Sequence, residues 1–191
     1  MQSPHALAYD GNLQALQAMP LDPRFQTLND RGQSVLYAAC RSPSTSPQLV
    51  AYLIDVKKCD VNFANGPKGA GSLPQHAVVL SLEIAVSQMS PAHPNPPPLI
   101  SALLEILNIL RTKGANMSLA NTQYQKTALE EFQVFEHQMK HLPAVAQLVP
   151  HFVNALTPSG KQPLPTTPPT YLKHQLKGVY CFQHFVALLT F

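Results

Sequence analysis

The stretch NDRGQSVLYAACRSPSTSPQLVAYLIDVKKCDVN, residues 29–62, has the pattern of a turn followed by two short helices. Ser34 is placed to cap a first helix that runs to about Arg41, because its hydroxyl can accept a hydrogen bond from a backbone N–H. The segment SPSTSP ends this helix, since proline has no N–H to donate and serine side chains compete for backbone hydrogen bonds. A second helix is predicted over about residues 48–57, with its leucine, valine and isoleucine side chains on one stripe. The stretch therefore predicts one helix–turn–helix unit.

Two short motifs in this unit carry a family resemblance. Residues 32–40 (GQSVLYAAC) lie on the pattern G-x-T-P-L-H-x-A-A, and residues 58–62 (KCDVN) lie on the closing pattern G-A-D-V-N. The unit thus resembles an ankyrin repeat, which is about 33 residues long. Tyr37 replaces the motif histidine that usually bonds to neighbouring turns. Lys58 replaces the glycine that usually ends the second helix in a left-handed conformation.

The pattern recurs along the chain and predicts about four degenerate repeats over residues 3–156. The helices predicted outside the unit just described are residues 4–9 and 13–19, about 72–89 and 99–110, and about 127–140 and 143–156. A proline-rich loop at residues 90–98 separates the two helices of the third repeat. The resemblance implies an all-α, ankyrin-type helix–turn–helix solenoid, in which each repeat stacks on the next.

The composition changes after Leu156. Residues 157–170 (TPSGKQPLPTTPPT) predict an extended, Pro-rich linker. Residues 171–191 are too apolar to remain in water and predict a C-terminal helical segment, which is either a cap on the last repeat or a docking segment for a partner. The surface expected to accept such a cap consists of Val145, Leu148, Val149, Phe152 and Val153. The sequence thus predicts a solenoid at 1–156, a linker at 157–170 and a cap or docking helix at 171–191.

Composition and charge argue against several classes of protein. The net charge of +3 is too small to indicate binding to nucleic acid. No apolar run is long enough to form a transmembrane segment, and residues 1–20 lack the pattern of a secretory signal. Cys40, Cys59 and Cys181 show no metal-finger spacing and cannot all pair in disulfides, which favours a reducing compartment. We therefore expect a cytoplasmic or nuclear location.

No pattern of catalytic or metal-binding residues is recognised, so the sequence predicts no enzyme, no cofactor and no metal site. His137 and His141 have the spacing of a zinc protease helix, but Gln138 stands where the catalytic glutamate would be. Residues 66–72 are glycine-rich but lack the Gly-Lys-Ser/Thr ending of a phosphate loop, and they predict a plain turn. Glu130 and Glu131 are adjacent on a helix and therefore point in different directions.

The resemblance implies a protein–protein interaction adaptor or scaffold that binds a partner through the concave ankyrin face. In such a solenoid the turn tips and first helices line this face. The candidate partner-binding residues are Arg24, Asp30, Arg31, Phe63, Asn65, Lys68, Gln123, Tyr124 and Lys126. Phe63 and Tyr124 either anchor a partner or pack against adjacent turns. The alternative function is a regulatory or targeting subunit that docks on an enzyme or membrane surface through its C-terminal segment.

A second candidate binding motif is the P-P-x-Y sequence of Pro168, Pro169 and Tyr171. This motif resembles the ligand of WW domains, whose aromatic groove takes a preformed polyproline segment. A WW-domain protein is therefore one candidate partner. In a chain with 19 prolines, a chance match is the other explanation.

Overall fold

A computed structural model describes residues 2–89 and 96–158, and all statements on the structure refer to these ranges. The α-helices are α1 (Pro4–Tyr9), α2 (Leu13–Ala18), α3 (Val35–Arg41), α4 (Pro47–Asp55), α5 (Pro74–Ser87), α6 (Pro98–Thr112), α7 (Ala128–Lys140), α8 (Pro143–Ala146) and α9 (Val149–Leu156). The described part of the chain has no β-strand, only two isolated bridges. The predicted all-α class is therefore confirmed for these residues. The WW-ligand motif, most of the predicted linker and the C-terminal segment lie outside them.

Local capping chemistry determines where the helices begin. The hydroxyls of Ser3, Ser34 and Ser46 each accept a backbone N–H bond and cap α1, α3 and α4, as predicted for Ser34. Proline occupies the start of α1, α4, α5, α6 and α8. There its fixed φ suits the helix and its missing N–H would have no intrahelical acceptor. Helices α4 and α6 consequently begin at Pro47 and Pro98, one residue earlier than predicted.

The helices pack in two rows. Helices α1, α3, α5 and α7 form the first row, in which each packs against the next. Helix α6 packs between α4 and α9 in the second row, and it also contacts α5 across the rows. The contiguous apolar core includes fully buried side chains from both rows, among them Leu36, Leu107 and Phe132. No helix in the described ranges is both long and apolar enough to cross a membrane.

The last predicted helix is divided into α8 and α9. Pro150 lies in the first turn of α9 and has no N–H to donate to the carbonyl four residues earlier, so one continuous helix cannot form. The surface predicted to accept a C-terminal cap also differs from expectation. Val145, Val149 and Phe152 are buried in the core, and the Phe152 ring stacks on Phe132 with 5.8 Å between centroids. Leu148 and Val153 alone remain partly exposed among the five predicted cap residues.

Lys57 is a buried cation just after α4. Its side chain is only 4% exposed, and Nζ donates a hydrogen bond to the carbonyl of Met19. The ammonium lies 5.2 Å from the ring centroid of Phe25 and 5.6 Å from that of Tyr52. Because aromatic faces attract cations, these contacts compensate part of the cost of removing the ammonium from water. The next residue, Lys58, has φ +61°, so it adopts the left-handed conformation for which ankyrin repeats usually use glycine.

Candidate protein-binding surface

Three turns, which precede α3, α5 and α7 of the first row, carry most of the predicted partner-binding residues. Turn 1 is residues 29–33 before α3, turn 2 is residues 65–71 before α5, and turn 3 is residues 121–126 before α7. We call them together the turn row. Seven candidates lie in it, namely Asp30, Arg31, Asn65, Lys68, Gln123, Tyr124 and Lys126.

Turns 1 and 3 are built in the same way around an asparagine. In turn 1 the Asn29 Oδ1 accepts hydrogen bonds from the backbone N–H groups of Arg31 (3.0 Å) and Gln33 (2.9 Å). In turn 3 the Asn121 Oδ1 accepts one from the N–H of Tyr124 (2.8 Å). Such side-chain bonds to the following backbone stabilise a tight turn without help from the rest of the fold. Both turns therefore have a conformation determined by their own sequence.

Turn 2 is hydrogen-bonded to both neighbouring turns. The N–H of Gly66 donates to the carbonyl of Gly32 in turn 1 (2.8 Å). On the other side, the carbonyl of Ala70 accepts from the N–H groups of Thr122 (3.0 Å) and Gln123 (3.2 Å) in turn 3. The three turns are thus joined backbone to backbone. This arrangement makes them one continuous surface and not three independent loops.

The glycines of turn 2 allow this close approach. A Cβ atom on Gly71 would lie 2.2 Å from the Thr122 Oγ1, which is a severe clash. Gly71 also has φ +63°, a conformation that glycine adopts without steric cost. A Cβ on Gly69 would lie 2.7 Å from the Asn65 Cβ. The glycine-rich stretch is therefore a plain turn, as predicted, in which Gly71 is required by the contact with turn 3 and Gly69 by the packing within turn 2.

His76 connects the first helix row to turn 3. Its Nδ1 accepts a hydrogen bond from the N–H of Leu73 (3.2 Å), so the ring proton is on Nε2, which donates to the carbonyl of Lys126 (3.0 Å). Burial lowers the pKa of His76 and favours the neutral ring that this bonding requires. His5 makes a similar bond, from Nε2 to the carbonyl of Thr27 (3.0 Å). Tyr37 stands at the corresponding position in α3, so the histidine bond is absent at that helix.

Six of the seven candidates in the turn row are exposed. Tyr124 is the most prominent, since it is a large aromatic residue with 60% of its surface accessible. The Lys68 Nζ donates to the backbone carbonyl of Asp30 (3.3 Å), which brings these two residues together. Asn65 is the exception. It is only 5% exposed, and its Oδ1 accepts a hydrogen bond from the N–H of Ser34 (3.0 Å), so its role here is structural.

The structure places Arg24 and Phe63 outside the turn row. Arg24 belongs to the 3-10 turn Pro23–Gln26 and forms an ion pair with Asp22, with 2.7 Å between the charged atoms. The hydrogen bonds from Arg24 lower the pKa of Asp22 to about 2. Phe63 is half-buried in the segment that follows α4. Neither residue therefore belongs to the turn row.

A groove between turns 1 and 2 was not anticipated from the sequence. It is lined by Leu28, Asp30, Gly32, Gly66, Pro67 and Lys68. Leu28 is 37% exposed although it is a large apolar residue. The signal in the sequence was a lone leucine directly before the Asn-Asp-Arg-Gly turn. Whether this leucine lines a groove depends on residues 66–68, which are far from it in sequence.

Two carboxylates on the first helix row, Glu131 of α7 and Glu83 of α5, influence each other, and Glu131 lies next to turn 3. The Asn121 Nδ2 donates to the Glu131 Oε1 (2.5 Å), which joins α7 to turn 3. Burial raises the pKa of Glu131 to about 7, with Lys126 opposing the rise and Glu83 adding to it. Burial also raises the pKa of Glu83, and Arg41 opposes this rise. Glu130 points elsewhere, because its carboxylate accepts from the N–H of Thr127 (2.8 Å) in a capping box, so the two adjacent glutamates diverge as predicted.

The described residues contain no group of three or more histidine, cysteine or acidic side chains that could hold a metal. His137 and His141 are both exposed at the end of α7. Cys40 and Cys59 are buried free thiols. Burial raises the pKa of Cys59 to about 12 and that of Cys40 further, so neither is a reactive thiolate near neutral pH.

Comparisons with known proteins add little to this description. No protein-family model matches the chain, and no curated protein matches it. Among solved structures, the chain is similar to one chain of a complex described as a predatory endopeptidase from Bdellovibrio bacteriovorus with an immunity protein. The sequence identity is 16%, and the similarity covers 77% of this chain and 98% of that chain, with a TM-score of 0.33. At that TM-score the similarity supports no conclusion on fold or function.

Proposed function

We propose that this chain is a non-enzymatic adaptor or scaffold, with an ankyrin-type solenoid, that binds another protein through the turn row. The proposal rests on the backbone hydrogen bonds from turn 2 to turns 1 and 3. These bonds join the three loops into one preformed surface. A preformed surface loses little conformational entropy when a partner binds. Exposed Tyr124 and Arg31 are of residue types enriched at protein interfaces, and Lys68 and Lys126 add positive charge that a partner can complement.

The packing of the helices supports the ankyrin-type arrangement. Helices α3, α5 and α7 each follow a turn, pack on the first-row helix of the preceding unit and pack on a second-row helix. The His76 Nε2 bonds to the neighbouring turn while Nδ1 accepts from the start of its own helix, which is the kind of bonding that the resemblance assigns to the motif histidine. Short repeated contacts of this kind produce an elongated protein with a continuous row of turns.

The test is quantitative affinity purification with the whole chain and matched variants. We expect Tyr124→Ala and Lys126→Glu each to reduce the recovery of specific partners about tenfold, because aromatic and charged anchors dominate interface energies. Leu21→Ala is the control, since Leu21 is 71% exposed and lies outside the turn row. A partner set that both turn-row variants recover at the wild-type level would refute the proposal.

The alternative, a regulatory or targeting subunit that docks through residues 171–191, predicts a different result. Partner recovery would then fall on truncation after Thr157 and would not respond to Tyr124→Ala. Tyr171→Ala separates a WW-domain partner from other partners of the same region, since the WW groove needs the tyrosine of P-P-x-Y. Circular dichroism of each variant checks that the helices remain folded.

A further inference from the structure

The groove between turns 1 and 2 has a backbone floor and apolar walls. Gly66 and Gly32 meet at its base through the 2.8 Å hydrogen bond between their backbones. Neither glycine contributes a side chain, and a Cβ on Gly32 would lie only 3.3 Å from the Lys68 Cβ. Leu28 and Pro67, both exposed, form the apolar part of the lining. The groove therefore offers apolar surface that is accessible from solvent, which is favourable for an apolar side chain to cover.

The turn row as a whole carries more positive than negative charge. The turn row carries three cations, Arg31, Lys68 and Lys126, and one carboxylate, Asp30. None of these four forms an ion pair within the described part of the chain, where the ion pairs are Arg24–Asp22, Lys113–Asp55 and Lys140–Glu136. Lys68 instead donates to the backbone carbonyl of Asp30, which holds its ammonium at the groove. These free cations would be complemented by carboxylates of a partner.

We propose that the turn row binds an acidic, extended segment of another protein, which places a large apolar side chain in the groove between Leu28 and Pro67. This inference rests on the proposed function and specifies the chemistry of the partner. Arg31 and Lys68 pair with carboxylates that flank the apolar side chain. Tyr124, 60% exposed at the other end of the row, packs against a second apolar side chain of the same segment.

The spacing of the two anchors follows from the packing of the helices. Neighbouring helices pack about 8–10 Å apart, so the groove, midway between turns 1 and 2, lies about 12–15 Å from turn 3. An extended chain rises about 3.3 Å per residue, so the two apolar side chains of the segment are about four residues apart. A mixture of apolar anchors and carboxylates is typical of a protein segment. It is not the chemistry of a nucleic acid, whose charged phosphates would gain nothing from contact with an apolar groove.

The experiment uses the full chain, labelled with nitrogen-15, and synthetic peptides as probes in NMR titrations. The first peptide is rich in glutamate and carries leucine and phenylalanine about four residues apart. A second peptide has serine in place of both apolar residues, and a third has glutamine in place of glutamate. We expect the first peptide to shift the amide signals of residues 28–33, 65–70 and 122–126. We expect the second and third to bind about tenfold more weakly.

Matched variants localise the contact. Leu28→Asn and Lys68→Glu should each weaken binding of the first peptide about fivefold to tenfold, whereas Lys140→Gln, outside the turn row, should leave it unchanged. Equal binding of the serine peptide, or shifts confined to other residues, would overturn the proposal. Equally strong shifts of the same amides by polyuridylate or by phosphatidylserine vesicles would also overturn it.

The result also separates this inference from the proposed function. If Leu28→Asn leaves partner recovery unchanged while Tyr124→Ala abolishes it, the groove is not used, but the turn row remains a binding surface. If Leu28→Asn, Tyr124→Ala and Lys126→Glu all leave partner recovery unchanged, both proposals are wrong.

Discussion

Replacing Gly71 with alanine should destabilise the chain by loosening the contact between turns 2 and 3. Gly71 has φ +63°, where an alanine costs about 1–2 kcal/mol relative to an ordinary backbone conformation. Its Cβ would lie 2.2 Å from the Thr122 Oγ1 and 2.8 Å from the Thr122 Cβ, so turn 3 must move away. The Ala70 carbonyl would then lose hydrogen bonds from Thr122 and Gln123, each of which contributes about 0.5–1.5 kcal/mol.

The expected loss in the free energy of unfolding is about 2–3 kcal/mol. It combines the backbone strain and the lost hydrogen bonds, and the lower entropy of the unfolded chain with alanine offsets about 0.4–1 kcal/mol of their sum. Gly114→Ala is the matched control. Gly114 has φ +91°, and a Cβ there would have no atom within 4 Å. Lys58, which occupies the equivalent place in its own closing motif, already tolerates φ +61°. The control should therefore cost about 1 kcal/mol, the backbone contribution alone.

Urea unfolding followed by circular dichroism measures both losses. A double-mutant cycle of Gly71→Ala with Thr122→Gly isolates the contact, since the second change removes the side chain that the new Cβ would meet. The coupling energy should be about 1–2 kcal/mol. If Gly71→Ala costs no more than Gly114→Ala, within about 0.5 kcal/mol, turns 2 and 3 do not approach as closely as described, and the argument for a preformed surface fails.

Three further predictions concern the core and the buried charges. Leu107→Ala should lower the free energy of unfolding by about 2–5 kcal/mol, since Leu107 is fully buried in α6. Leu104→Ala, at a partly buried position of the same helix, should lower it by about half as much. Equal losses of the two variants in urea unfolding would contradict this packing. Lys57→Met should cost about 1–2 kcal/mol because it removes the donor to the Met19 carbonyl and the cation near two rings, and an unchanged melting temperature would show that neither contact matters. Glu131 has a folded-state pKa of about 7, above the ordinary 4.5, so its carboxyl binds a proton more tightly in the folded than in the unfolded chain. The free energy of unfolding of the wild type therefore falls as pH rises from about 4.5 to 7. Glu131→Gln should therefore gain about 1–2 kcal/mol relative to wild type over that range, after allowance for partial solvent access, and a pH-independent difference would refute the assignment.

The helical elements could be predicted closely from the sequence because the forces that start and end them are local. Ser34 caps α3 through a bond to a residue three positions away, and Pro47 and Pro98 begin helices through their own ring geometry. The positions of the turns were likewise predictable, since Asn29 and Asn121 bond to their own following backbone. The division of α8 and α9 was missed although Pro150 carries the reason for it.

The composition of the candidate surface required the tertiary structure. Asn65 and Lys68 lie three residues apart in the same turn, yet one is buried against Ser34, 31 residues away in sequence, and the other is exposed. Leu28 lines a groove only because turn 2 approaches turn 1.

Sequence by itself determined the all-α class, the order of the helices and the three turns, since each depends on bonds between residues a few positions apart. Only the tertiary structure decided which turn side chains are free, which glycines are required and where a groove opens. Those features depend on distances between segments that are far apart in the chain, such as Ala70 and Thr122, 52 residues apart. Such distances result from the packing of whole helices, and no local pattern specifies them.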